Sequence, residues 1–207
     1  MHPVEHYLEQ SPLIAILRGI TPEEAIGHAT VIYDAGWRCL EIPLNSPQPL
    51  ESIRLLAEHF GDRMFIGAGT VITREDVTNV AKAGGQFIVA PNMDQEVILG
   101  AIGEGLDIMP GVMTASEAFN AYKYGARYLK LFPADSLGPS YIKALMSVLP
   151  KDAKIIPVGG VSPANLKEFA AVGCAAYGIG SQLYKKGMGV TEVEKNAREF
   201  AEACKAL

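Results

Sequence analysis

Short apolar runs alternate along this chain with longer amphipathic stretches, and a glycine closes most of the latter. The apolar runs predict strands over residues 13–17, 38–42, 64–68, 86–90, 106–109, 127–132, 154–158 and 175–179. Several of them (LIAIL, QFIVA, KIIPV) are almost free of polar residues, as parallel strands covered on both faces are. Between the runs a helical period takes over. Thr21-Pro22-Glu23-Glu24 and Ser162-Pro163 each pair a hydroxyl N-cap with proline in the first turn. Thr114 and Glu117 have the spacing of a capping box. Glycines at 36, 61, 84, 105 and 125 stand where helices should stop, 25, 23, 21 and 20 residues apart. That interval is one compact βα unit.

Alternating βα units demand a parallel sheet. Eight of them in 207 residues predict one α/β domain over residues 1–207, a (β/α)8 TIM barrel with a short N-terminal helix. An open doubly wound sheet is the alternative, but it usually has fewer strands at this length.

Composition narrows the function. Hydrophobic residues make up 49% of the chain and charged ones 20%, as in soluble globular proteins. No apolar stretch approaches the roughly 20 residues of a membrane span. Residues 1–10 include Glu5, His6 and Glu9 and lack the cationic start and apolar centre of a signal peptide, so a cytoplasmic location is expected. The net charge is −5 with no run of Lys or Arg, which argues against nucleic acid or an anionic membrane as partner. A small anion stays open, because backbone amides hold phosphate without a basic patch. Cys39, Cys174 and Cys204 are odd in number and far apart, which suits free thiols in a reducing compartment.

In barrels of this kind the chemistry sits at the C-terminal ends of the strands. Those ends read Arg18, Glu41, Thr70, Pro91, Gly111, Lys130, Gly159-Gly160 and Gly180-Ser181. Side chains alternate along a strand, so Tyr128, Lys130 and Phe132 share one face and Leu129 and Leu131 the other. The leucines suit the helix side, which turns Lys130 inward. Burial lowers an amine's pKa, and only the neutral amine attacks a ketone to form a Schiff base. The alternative is a lysine that snorkels to the rim. By the same alternation Glu41 faces inward with Cys39 and Pro43, where a carboxylate can move protons for such an imine. A structural ion pair with Arg18 or Lys130 is its alternative, and Cys39, deeper in the strand, reads as core. The glycines after strands seven and eight fall where these barrels bind phosphate, although either pair alone would read as a turn.

Other signals fail. GAGTVI and GIGSQL lack the third glycine of a dinucleotide fingerprint, and there is no P-loop. His2 and His6 have i,i+4 spacing but lie at the terminus, and His28 and His59 fall within amphipathic helices. No His, Cys and carboxylate cluster has ligand spacing, so no metal is expected.

The segments AILRGITPEEA, LEIPLNSPQPLESI, IGAGTV, IVAPN, LKLFPADSLGPSYIKAL, PVGGV and GIGSQLY, in this order, span nearly the whole chain. Together they resemble the 2-keto-3-deoxy-6-phosphogluconate and 6-phosphogalactonate aldolases, class I enzymes of sugar-acid catabolism. The resemblance implies that Lys130 is the Schiff-base lysine and Glu41 the general acid/base. It implies that Arg18 and Thr70 contact the carboxylate end of the substrate or nearby oxygens, that Pro91 and Phe132 line the pocket, and that Gly159, Gly160, Gly180 and Ser181 hold the 6-phosphate. Pyruvate and glyceraldehyde 3-phosphate would be the products, no metal or organic cofactor is implied, and the assembly would be a homotrimer. Gluconate-type members tend to carry arginine in the loop after the glutamate and threonine before the glycine pair. Asn45 and Val158 stand there in this chain, as in the galactonate branch, and Val158 lacks the hydroxyl that would favour one C4 epimer. A sugar-phosphate isomerase or epimerase on the same barrel and a non-catalytic sugar-phosphate binder are the readings from other classes.

Overall fold

The structure, a computed structural model, describes residues 3–207; His2 of the terminal histidine pair lies outside them. Among the described residues nine strands form: β1 Leu13–Ile16, β2 Cys39–Pro43, β3 Phe65–Gly69, β4 Phe87–Val89, β5 Asp107–Met109, β6 Gly111–Val112, β7 Tyr128–Leu131, β8 Lys154–Pro157 and β9 Tyr177–Ile179. The helices are α1 Pro3–Gln10, α2 Pro22–Asp34, α3 Pro49–Phe60, α4 Arg74–Lys82, α5 Gln95–Gly103, α6 Ala115–Lys123, α7 Ala134–Met146, α8 Leu166–Ala171 and α9 Val190–Lys205. None of them is long and apolar enough to cross a membrane.

Every strand pairing is parallel. Six strands run in the order β5-β4-β3-β2-β1-β9 and three in the order β6-β7-β8. A single parallel bridge, Val158 to Gly178, ties the end of β8 to β9. The result is an α/β fold on a curled parallel sheet. Each of the eight predicted runs contains a strand, and the unforeseen one, β6, continues β5 past Pro110. Proline has no N–H, so it breaks the ladder there. Its carbonyl still accepts from the Lys130 amide at 3.0 Å.

Alternation sorts the side chains into two layers. Leu40, Ile42, Ile66, Ala68, Ile88, Leu129 and Leu131 pack with the helices in the larger core. Ile14, Ile16, Cys39, Phe65, Phe87, Val89, Tyr128, Ile156 and Val158 form a second core between the strands. Helix α1 covers the N-terminal end of that inner core with Val4, Tyr7 and Leu8. Tyr7 stacks on Phe65 at 4.8 Å, Phe65 stacks on Phe87 at 5.2 Å, and Asp107 accepts the Val4 amide at 2.8 Å.

The boundary signals hold with one exception. Glu24 accepts the Thr21 amide at 3.1 Å, and Thr114 and Glu117 cap α6 reciprocally. The glycines at 36, 61, 84, 105 and 125 all have positive φ, which fits them to end a helix. The start predicted at Ser162-Pro163 is later: α-helical structure begins at Leu166. Ser162 opens a turn instead, with its amide bonded to the Asn165 side chain at 2.8 Å. Cys39 is buried, and Cys174 and Cys204 are partly buried free thiols.

Candidate active site

Lys130 sits in β7 between two leucines that are fully buried on the helix side, so its side chain turns inward. It is 8% exposed, which excludes a lysine reaching bulk water at the rim. Its Nζ lies 5.3 Å from the centre of the Phe132 ring. Burial pushes the amine's pKa below the usual lysine range; the Glu41 charge opposes this shift and the Arg18 charge adds to it.

Glu41 comes from β2 and is 3% exposed. Its Oε2 is sealed from solvent and has no hydrogen-bond partner. Burial raises its pKa to about 7, against the pull of Lys130 and then Arg18. Among the described residues no ion pair joins Glu41 to either cation, so the structural-pair alternative is not realised. An unsatisfied buried carboxylate costs stability. Poised near neutrality, it can both give and take a proton.

A cavity of about 480 Å³ opens beside this pair. Its wall contains seven of the residues singled out in the sequence: Arg18, Phe132, Val158, Gly159, Gly160, Gly180 and Ser181. Lys130 and Glu41 lie next to the wall rather than in it. Phe132 links the amine to the cavity, and the Arg18 charge acts on both groups. Arg18 in turn holds Asn45 and Thr70 in the site, donating from Nη1 to Asn45 Oδ1 at 2.5 Å and to Thr70 Oγ1 at 3.3 Å. Thr70 adopts φ +57°, a left-handed conformation that costs energy for a β-branched residue.

Part of the cavity wall offers backbone donors from which an anion could accept. Among the described residues the amides of Gly160, Val161, Ser181 and Gln182 donate to no carbonyl or side chain. All four residues line the cavity, together with the exposed Lys185. Gly180 has open space where a side chain would stand, so a ligand can approach its backbone. Pro91, like Asn45 and Thr70, is absent from the cavity wall; it is exposed, and its carbonyl packs against Gly111.

Ile16, Val161, Gly178, Gln182, Tyr184 and Lys185 also line the cavity and were not singled out in the sequence. Ile16 shares the Arg18 face by alternation and was legible. Gln182 and Lys185 lie in and just beyond the turn that begins at Gly180, which brings them to the cavity. Among the described residues no group of three His, Cys, Asp or Glu side chains gathers to hold a metal ion.

The sequence profile of the KDPG and KHG aldolases matches residues 4–198. The chain belongs to this family. A 2-dehydro-3-deoxy-6-phosphogalactonate aldolase of Escherichia coli strain K12 is 50% identical over 192 residues, 93% of this chain and 94% of its own. A solved structure described as native KDPGal superposes with a TM-score of 0.93 at 49% identity, covering 94% of this chain and 95% of its own. The KDPG aldolase of Legionella pneumophila, solved with pyruvate captured as a covalent carbinolamine, superposes with a TM-score of 0.84 at 28% identity over 100% of this chain and 98% of its own. Membership in an aldolase family accords with a site that offers a buried amine, a poised carboxylate and a ring of unpaired amides around one cavity.

Proposed function

We propose that this chain is a class I aldolase that cleaves 2-dehydro-3-deoxy-6-phospho-D-galactonate into pyruvate and D-glyceraldehyde 3-phosphate. The observation that carries the reading is Lys130, an amine depressed by burial at the edge of a cavity whose other wall is an anion cradle.

Neutral Lys130 attacks the C2 ketone to give a carbinolamine, and loss of water leaves a protonated imine. Glu41 delivers the proton that the departing hydroxyl needs. A base, Glu41 again, then takes the C4 hydroxyl proton as the C3–C4 bond breaks. The bonding electrons flow into the imine, which becomes an enamine, and glyceraldehyde 3-phosphate leaves. Protonation at C3 and addition of water release pyruvate and free the amine. Arg18, kept in place by Asn45 and Thr70, pairs with the substrate carboxylate; Gly159, Gly160, Gly180 and Ser181 hold the phosphate. The carbinolamine captured in the Legionella relative supports the first step.

Val158 lines the cavity and offers no hydrogen bond to a C4 hydroxyl. Together with the 50% identical galactonate-type relative, this favours the galactonate epimer over the gluconate one. The parallel bridge at Val158–Gly178 and the continuation across Pro110 support a sheet closed as a single (β/α)8 barrel domain. A homotrimer fits the large apolar side chains Ile72, Leu99, Ile102, Met113 and Phe119, exposed on α5, on α6 and in the loops after β3 and β6. Light scattering on purified protein reads that assembly directly.

Borohydride reduction in the presence of pyruvate should attach a pyruvate-derived mass to Lys130. Labelling of the wild type no stronger than that of Lys130→Ala would end the reading.

A further inference from the structure

Along β3 the residues facing the inner core are Phe65, Gly67 and Gly69, while Ile66 and Ala68 face the helices. Two of the three inward positions therefore have no side chain, and different groups occupy the two gaps. A Cβ on Gly67 would run into the ring and carbonyl of Phe87, so that glycine makes room for core packing. A Cβ on Gly69 would overlap Glu41 Oε2 and stand 3.0 Å from Oε1. The nearest heavy atoms to that missing side chain all belong to the Glu41 carboxylate.

Glu41 is in register with Gly67, so its side chain leans along the sheet toward the level of Gly69. β3 cannot back away, because the Gly69 carbonyl accepts the Leu44 amide at 2.8 Å. Thr70, the next residue, is tied to Arg18. Gly69 has no positive φ, so its backbone alone gives no reason for glycine. The space beside it does.

We propose that Gly69 is a positioning residue for the aldolase reaction: its absent side chain is the slot that holds the Glu41 carboxylate dry and beside Lys130. The inference rests on the reading of Glu41 as the acid/base. The raised pKa of Glu41 agrees with a carboxylate held in such a slot, since burial is its main cause.

The test is Gly69→Ala, assayed for cleavage across pH. The added methyl displaces the carboxylate toward water, so kcat should fall by about 10²-fold, the loss of one acid/base group, with a much smaller change in KM. The limb of the kcat–pH profile near 7 should move to lower pH, a shift that general loosening of the fold would not produce. Shortening the acid should relieve the overlap, so Gly69→Ala/Glu41→Asp should turn over at least tenfold faster than the product of the single effects. Unchanged kcat and pH profile in folded Gly69→Ala, or additive losses with the limb in place, would overturn the proposal. Should Gly69→Ala not fold, the double variant decides: a folded, active pair supports the slot and an unfolded pair refutes it. Glu41→Gln run alongside separates the two readings, because full activity there would remove the acid/base role itself.

Discussion

The inner core holds two buried carboxylates, one at each end, and they are treated differently. At the end covered by α1, Asp107 is 6% exposed and accepts the Val4 amide at 2.8 Å, amid stacked Tyr7, Phe65 and Phe87. At the open end Glu41 is 3% exposed, yet Oε2 has no partner and Lys130 is buried beside it without an ion pair. One end spends its polar groups on stability. The other leaves the Glu41 carboxylate without a partner beside a buried amine, a pairing that favours reactivity over stability.

The contrast breaks most visibly at Lys130. Lys130→Met keeps the bulk but removes the nucleophile, so turnover should fall by about 10⁴-fold or more, with no pyruvate trapped by borohydride. Because the amine is buried at a cost, the same variant should melt no lower than the wild type. A lower melting temperature would mean that Lys130 is structural.

Glu41→Gln comes next, with kcat reduced by about 10²–10⁴-fold. The folded chain keeps the Glu41 proton up to about pH 7, against 4.5 ordinarily, so between these values the native state binds the extra proton. Wild-type stability contributed by this group therefore falls as pH rises through that window, by on the order of 3 kcal/mol in total. Urea unfolding should find Glu41→Gln gaining on the wild type from pH 4.5 to 7 and holding its lead above. A constant difference across pH would contradict the burial argument.

The covered end should give the reverse pattern. Asp107→Ala strands the Val4 amide and should lower unfolding free energy by about 1–3 kcal/mol, while kcat for cleavage stays near wild type. Loss of activity without loss of stability would erase the distinction between the two ends. The smallest effect is expected at the cradle, where Ser181→Ala should raise KM for the phosphorylated substrate by roughly fivefold, about 1 kcal/mol, with little change in kcat.

Much of this was legible because strands alternate. LKL around residue 130 turned Lys130 inward, CLEIP did the same for Glu41, and the glycine pairs fell on the cavity wall as expected. Pro91 lies outside the cavity wall for a reason the period does not carry: it stands two residues past the end of β4 with its carbonyl against Gly111. The β5–β6 break failed because the period carries no trace of a missing N–H until the neighbouring ladder is known. The later start of α8 turned on whether the Asn165 side chain bonds back to Ser162, a local choice that composition leaves open.

The order of strands and helices, the faces of their side chains and the family all follow from the linear pattern, since periodicity and capping act over a few residues. Whether Glu41 finds a partner, how dry Lys130 is, and that Gly69 leaves a slot depend on side chains brought from separate strands. Those are distances in space between residues far apart in the chain, and only the packing of the curled sheet assigns them values.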